Sequence, residues 1–126
     1  MTLLQEKDAE LYEWLESSVT TGEKVLYFSI GTECIWLQWA IDAIYNGCLE
    51  IDKSIKIRVV WSLPTINVGL PENYDKNKFW VSTYLPQVEI LNHRSVVAGI
   101  SHCGFGGTLE FISSGIPVLT LGHFSD

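Results

Sequence analysis

Short apolar runs recur along the chain and are separated by stretches that mix apolar and polar positions. The first run, KVLYFSIG at 24–31, is almost continuously apolar and ends in a glycine, which is typical of a strand buried on both faces. Four further runs predict strands of the same kind: IKIRVVW, FWVSTYL, SVVAGIS and IPVLTL. We therefore expect five strands in one sheet.

The stretches between these runs predict helices. The segment from Gln5 to Glu16 suits a helix whose apolar stripe consists of three leucines, Leu4, Leu11 and Leu15. A second helix is expected from about Ile35 to Cys48, with Asn46-Gly47 as its end signal. The other predicted helices are PQVEILNH and Gly106–Ser114, the latter stopped by Gly115.

The alternation of strands and helices predicts the fold class. Five strand–helix units in series indicate an α/β fold, a Rossmann-like parallel sheet with helices on both faces. The segment SLPTINVGLPENYDKNK is rich in prolines and turn residues, so we expect an irregular surface connection there. With 126 residues, the chain is long enough for one domain.

Charge and cysteine usage narrow the classes of function. The formal net charge is −7 and no basic cluster stands out, which argues against nucleic-acid binding. Cys34, Cys48 and Cys103 lack paired spacing, so they indicate small apolar residues in a reducing compartment. No run is long enough to span a membrane and no secretory signal pattern is present. We expect a cytoplasmic location.

The ends of the predicted strands carry the candidate chemistry. Ligands of parallel α/β sheets bind at the carboxyl ends of the strands. Ser29, Gly31 and Thr32 follow the first strand, Tyr84 to Gln87 follow the third, and His102 to Thr108 follow the fourth. We expect these three segments to converge on one edge. The sequence contains no D-x-D and no cluster of metal ligands, so neither a metal nor a cofactor is expected.

The decapeptide SHCGFGGTLE at 101–110 admits two interpretations. Its glycines, the helix entrance and Thr108 would suit a phosphate, but glycine-rich turns without a ligand are also common. Glu110 would suit a pair of ribose hydroxyls or simply complement the helix dipole. Tyr84 would suit stacking on a base or packing in the core. These residues alone leave the alternatives open.

The order of motifs in the last third of the chain is more specific. The segment from Tyr84 to Asp126 resembles the signature of the UDP-dependent glycosyltransferases, in which W-x-P-Q, a His, H-C-G-W-N-S, a Glu, G-x-P and D-Q follow in that order. The stretch LYEWLESSVTTGEKVLYFSIGT is similar to the entrance of their C-terminal domain. The resemblance implies that residues 1–126 are part of the donor-binding half of a GT-B enzyme that ends before its closing helices, without the N-terminal acceptor half.

The resemblance also implies a UDP site. Its positions here are Thr32, Tyr84, Leu85, Gln87, His102, Gly104, Gly106, Gly107, Thr108 and Glu110. By analogy, Tyr84 stacks on uracil, the Leu85 backbone contacts the base edge, and Gln87 and Glu110 hold the ribose. By the same analogy, His102, Gly104 and the helix entrance that follows them bind the diphosphate, helped by Thr32 in the first loop. Donor-sugar contacts fall on Phe105 and Asp126.

Departures from the family pattern concern the phosphate and sugar positions. Gly106-Gly107 replaces the frequent N-S pair, although Thr108 follows, as in sterol and antibiotic glycosyltransferases. Phe105 stands where the family usually has Trp, and His123 has no assignment. The sequence therefore does not define the sugar.

The resemblance implies an enzyme that transfers a hexosyl group from a UDP-sugar, with inversion, to a hydroxyl of a small lipophilic or sterol-like acceptor. The general base belongs to the N-terminal half, so no catalytic base is expected in this chain and the chain alone is expected to be inactive. Two alternatives remain: a donor-binding subunit of a two-chain N-acetylglucosaminyltransferase, and a non-catalytic nucleotide-binding module.

Overall fold

The computed structural model describes residues 3–29, 38–63, 69–83, 85–101 and 115–120. The helices are α1 (Leu3–Lys7), α2 (Ala9–Thr21), α3 (Gln38–Ser54) and α4 (Gln87–Leu91). The strands are β1 (Lys24–Ser29), β2 (Ile57–Ser62), β3 (Phe79–Ser82), β4 (Val96–Ser101) and β5 (Val118–Thr120). All four strand pairings are parallel and the order is β3-β2-β1-β4-β5. The expected α/β parallel sheet is confirmed.

The central strands are buried on both faces, as their apolar runs predicted. Tyr27 and Val60 belong to an apolar cluster with α2 and α4, whereas Phe28 and Trp61 belong to a second cluster with α3. Because side chains alternate along a strand, each central strand serves both layers. The sheet is therefore enclosed between two helical layers, and its strand ends remain the natural place for a ligand.

The N-terminal helix is broken, contrary to the single helix expected from Gln5 to Glu16. Asp8 leaves helical geometry, with φ −156°, and its carboxylate accepts a hydrogen bond from the backbone N–H of Leu11 at 3.0 Å. The short acidic side chain thus caps α2 and separates it from α1. The predicted leucine stripe is nevertheless confirmed, since its three members are all buried.

The predicted end of the second helix at Asn46-Gly47 is wrong. Helix α3 continues through this pair to Ser54, and Gly47 has no positive φ. Buried Cys48 and Ile41 fix the helix to the sheet, so packing overrides the local turn signal. Burial raises the pKa of the Cys48 thiol to about 11, in keeping with its assignment as a small apolar residue.

Other boundaries differ by a few residues or lie outside the described ranges. β3 ends at Ser82, short of the predicted run. Gly115 adopts φ 76°, the left-handed conformation common after a helix, but the helix predicted at 106–114 lies outside the described residues. The predicted irregular connection is free of helix and strand at 69–78.

Candidate functional site

The carboxyl edge of the sheet carries a row of hydroxyl residues that the sequence analysis missed. Each strand that the structure describes ends in Ser or Thr, and the register places these terminal residues side by side: Ser82, Ser62, Ser29, Ser101 and Thr120. The strands therefore end level with one another. A Ser or Thr in the second half of each apolar run, or directly after it, was the sequence signal that could have revealed this row.

The strand order places a topological switch point beside β1. The chain leaves β1 through α3 to β2 on one side, while β4 pairs with β1 on the other side. Ser29 and Ser101 are register partners across this point. Ligands of parallel α/β sheets bind outside the carboxyl ends of such strands. The segments expected to hold a diphosphate therefore begin from neighbouring strand ends.

The residues after β3 return to β1 although β3 itself is two strands away. The Tyr27 hydroxyl of β1 donates a hydrogen bond to Oε1 of Gln87, the first residue of α4, over 3.2 Å. Gln87 is half-buried, and Leu85 packs its side chain against the apolar cluster of α2 and α4. The structure thus places Gln87 near the carboxyl end of β1, the strand that pairs with β4.

Most of the expected ligand positions lie outside the described residues. They are Thr32, Tyr84, His102, Gly104, Phe105, Gly106, Gly107, Thr108, Glu110 and Asp126, and His123 lies there too. Leu85 and Gln87 are the two expected UDP positions that the structure describes. Within the described ranges, no group of three or more His, Cys, Asp or Glu side chains is arranged to hold a metal ion.

His93, the histidine in the middle of the segment that resembles the family signature, contacts protein groups on both sides of its ring. The backbone N–H of Ser95 donates to Nδ1 of His93 at 3.1 Å, so the neutral ring carries its proton on Nε2. Nε2 lies 2.7 Å from Oε2 of Glu16 on α2. Burial lowers the pKa of His93, although the Glu16 carboxylate opposes this shift. The contact between His93 and Glu16 therefore joins α2 to the turn before β4.

A groove with a volume of about 550 Å³ lies beside this histidine. Its walls come from α1, α2, α4 and the following turn: Leu3, Leu4, Tyr12, Glu16, Val88, Glu89, Asn92, His93 and Arg94. None of these residues is a strand end, and none is an expected UDP position. The groove is therefore distinct from the carboxyl edge.

Comparisons with known proteins agree with this architecture. A structure of Os79 from O. sativa in complex with U2F and trichothecene superposes with a TM-score of 0.74, at 24% identity, over 94% of this chain and 27% of that chain. Arabidopsis thaliana UGT89C1 complexed with UDP gives a TM-score of 0.70 at 25% identity, over 89% of this chain and 27% of its own. These structures are glycosyltransferases of the GT-B class, and the chain has the fold of one part of them.

Sequence similarity defines the family. The profile described as "UDP-glucoronosyl and UDP-glucosyl transferase" matches residues 4–126. UDP-glycosyltransferase 84A2 of Arabidopsis thaliana is 31% identical over 121 residues, which are 90% of this chain and 23% of the relative. The limonoid UDP-glucosyltransferase of Citrus unshiu is 30% identical over 130 residues, 95% of this chain and 24% of the relative. The chain belongs to this glycosyltransferase family, and it spans about a quarter of the length of these curated relatives.

None of the helices in the described ranges combines the length and the apolar character needed to cross a membrane.

Proposed function

We propose that this chain is the donor-binding part of a UDP-sugar-dependent glycosyltransferase. The observation that carries the proposal is the return of Gln87 to β1, which brings a side-chain amide to the carboxyl edge next to the switch point. Family membership and similar structures that contain UDP support the same assignment.

In the proposed site, the nucleoside lies against the segment from Tyr84 to Gln87. The Gln87 amide and Glu110 hold the ribose hydroxyls, and Tyr84 stacks on uracil. The ends of β1 and β4 lead directly into the segments that contain Thr32 and His102, which hold the diphosphate. Phe105 and Asp126 contact the sugar. A diphosphate is stabilised there by backbone N–H groups and a helix dipole, without a basic cluster.

The proposed reaction is attack of an acceptor hydroxyl on the anomeric carbon. The new C–O bond forms as the bond to the UDP oxygen breaks with inversion, and UDP leaves with the electron pair. A base outside these residues takes the hydroxyl proton. This chain contributes stabilisation of the charge that develops on the diphosphate. The acceptor is proposed to be small and lipophilic, as the names of a limonoid glucosyltransferase and a myricetin rhamnosyltransferase among the relatives suggest.

A nucleotide titration tests the proposal. Intrinsic tryptophan fluorescence of the 126-residue chain follows binding of UDP, with ADP as the competing nucleotide. Saturable binding that prefers UDP and weakens in Tyr84→Ala, Gln87→Ala and Glu110→Ala supports the donor site. Asn92→Ala is the matched control, because this amide lies at the other end of α4 and donates to the Val88 carbonyl. Equal binding of UDP and ADP, or no binding by the folded chain, contradicts the proposal.

A further inference from the structure

The hydrogen bond between Tyr27 and Gln87 joins a core residue to the proposed ligand edge. Tyr27 is only 1% exposed, and its ring packs in the cluster formed with α2 and α4. Its hydroxyl reaches Oε1 of Gln87 at 3.2 Å. Because the ring is fixed by packing, the hydroxyl is a donor with a defined position. The residue therefore acts on the site through another side chain.

A glutamine amide has two chemically different ends. Its oxygen accepts hydrogen bonds, whereas its NH₂ group donates them. In the orientation with Oε1 toward Tyr27, the Gln87 amide nitrogen is directed away from that hydroxyl. Because the Tyr27 hydroxyl can donate to Oε1 or accept from Nε2, the hydrogen bond fixes where the Gln87 amide lies and directs the other end of the amide away from Tyr27 in either orientation.

The places of Tyr27 and Gln87 in the chain are a second reason to expect that their hydrogen bond positions the amide. Gln87 begins α4, and the preceding Pro86 provides no side-chain hydrogen bond to cap this helix. Tyr27 lies two residues before Ser29, the last residue of β1. The hydrogen bond therefore fixes the start of α4 relative to the strand end at the switch point. A loss of this bond would change the position of the Gln87 amide without touching the ligand directly.

We infer that Tyr27 is a positioning residue that holds the side-chain amide of Gln87 so that the end of the amide away from Tyr27 meets a hydroxyl of the nucleoside ribose. This inference rests on the proposed function, since it requires a UDP site at this edge. Its specific consequence concerns ligand selectivity. Tyr27 contributes to the preference for a ribose over a sugar that lacks the two hydroxyls, and it leaves recognition of the base and phosphates unchanged.

The test compares UDP with 2′,3′-dideoxy-UDP in wild type, Tyr27→Phe, Gln87→Ala and the double variant. Tyr27→Phe keeps the ring and removes the hydroxyl, and is expected to weaken UDP binding about 3- to 10-fold, the range of one hydrogen bond. Binding of the dideoxy nucleotide should stay the same. In the Gln87→Ala background, Tyr27→Phe should cause no further loss, because the two residues act as one unit.

Tyr45→Phe is the matched control, since Tyr45 packs against the α3-side cluster on the opposite face of the sheet. It should leave both nucleotides unaffected. Circular dichroism checks that each variant is folded. A second measurement needs no variant: nuclear Overhauser effects in the wild-type complex should connect the Gln87 amide protons to the ribose, and their absence would overturn the inference.

The outcomes separate the inference from the proposed function. If wild type binds UDP and Gln87→Ala weakens it while Tyr27→Phe does not, the inference fails and the donor site stands. If Tyr27→Phe weakens both nucleotides equally, the residue has only a structural role and the inference also fails. If the folded wild-type chain binds no UDP, the proposed function fails and the inference falls with it.

Discussion

Arg58 and Glu23 form a buried ion pair at the amino edge of the sheet, with Nε donating to Oε1 at 2.9 Å. The two side chains are 8% and 10% exposed. Lys78 donates to the other oxygen of the same carboxylate at 2.6 Å. Glu23 precedes β1, Arg58 lies in β2 and Lys78 precedes β3, so one carboxylate links the starts of three strands. It serves stability at the edge opposite the candidate site.

Stability should depend on the ionisation of Glu23. Burial alone would raise the pKa of this carboxyl, but hydrogen bonds from Lys78, Thr21 and Arg58 outweigh it and lower the pKa from 4.5 to about 2. A lowered carboxyl pKa stabilises the fold above pH 4.5, and this contribution is lost as the pH falls toward 2. Glu23→Gln should therefore cost about 3 kcal/mol at pH 7.

Urea unfolding followed by circular dichroism checks this prediction at several pH values. The difference between wild type and Glu23→Gln should shrink between pH 4.5 and 2. Glu50→Gln is the control, because its ion pair with Lys53 is 71% exposed on both sides and should change stability by less than about 0.5 kcal/mol. A Glu23→Gln penalty that is small at pH 7, or that stays constant with pH, would contradict the assignment.

The Asp8 cap between the first two helices gives a second prediction. Asp8→Ala removes the acceptor for the Leu11 N–H and should lower the free energy of unfolding by about 1 kcal/mol. Asp8→Asn retains a capping oxygen and should cost only a few tenths of that amount. Chemical unfolding of both variants decides the question. Equal losses in the two variants would show that charge, not the cap, is what matters at this position.

Two glycines should respond to alanine with opposite signs. Gly22 ends α2 with φ 78°, and Gly22→Ala should destabilise the chain by about 1 kcal/mol because a side chain is strained in this conformation. Gly47 lies inside α3, and a methyl group there meets nothing within 4 Å. Gly47→Ala should therefore stabilise by about 0.5–1 kcal/mol. Thermal unfolding measures both, and a destabilised Gly47→Ala variant would contradict the continuous helix.

Strands were easier to predict from the sequence than helix ends. A strand buried on both faces needs apolar residues at nearly every position, so a continuous apolar run identifies it. The Asn46-Gly47 signal misled because helix packing over many residues outweighs one poor helix former. The break at Asp8 was not predicted because an Asp can either continue a helix or cap a new one, and the two conformations differ little in free energy.

The candidate site rests on the strand-end rule, which predicts a ligand at the carboxyl edge, and on the resemblance, which adds Gln87. Both stay predictions. The contact between Gln87 and Tyr27 joins residues 60 positions apart, and the contact of His93 with Glu16 likewise depends on the packing of distant elements. Such partners follow from tertiary packing, which no local spacing in one sequence encodes.

The chain should bind the donor nucleotide without catalysing sugar transfer. We expect the 126-residue chain to bind UDP but to transfer no sugar, because the proposed acceptor base lies outside it. Mass spectrometry of a phenol or sterol acceptor incubated with UDP-glucose provides the assay, and a full-length family enzyme serves as the positive control. Product above the protein-free blank would refute the proposal that the base lies outside these residues.

The most direct test of the central claim is to locate UDP on the chain by ¹H–¹⁵N NMR. We predict saturable shifts in the Gln87 side-chain amide and in the backbone amides of Ser29 and Ser101, whereas the backbone amides of His93 and Arg94 in the groove should not shift. Shifts confined to the groove, or no shifts in a folded chain at millimolar UDP, would contradict a donor site at the carboxyl edge.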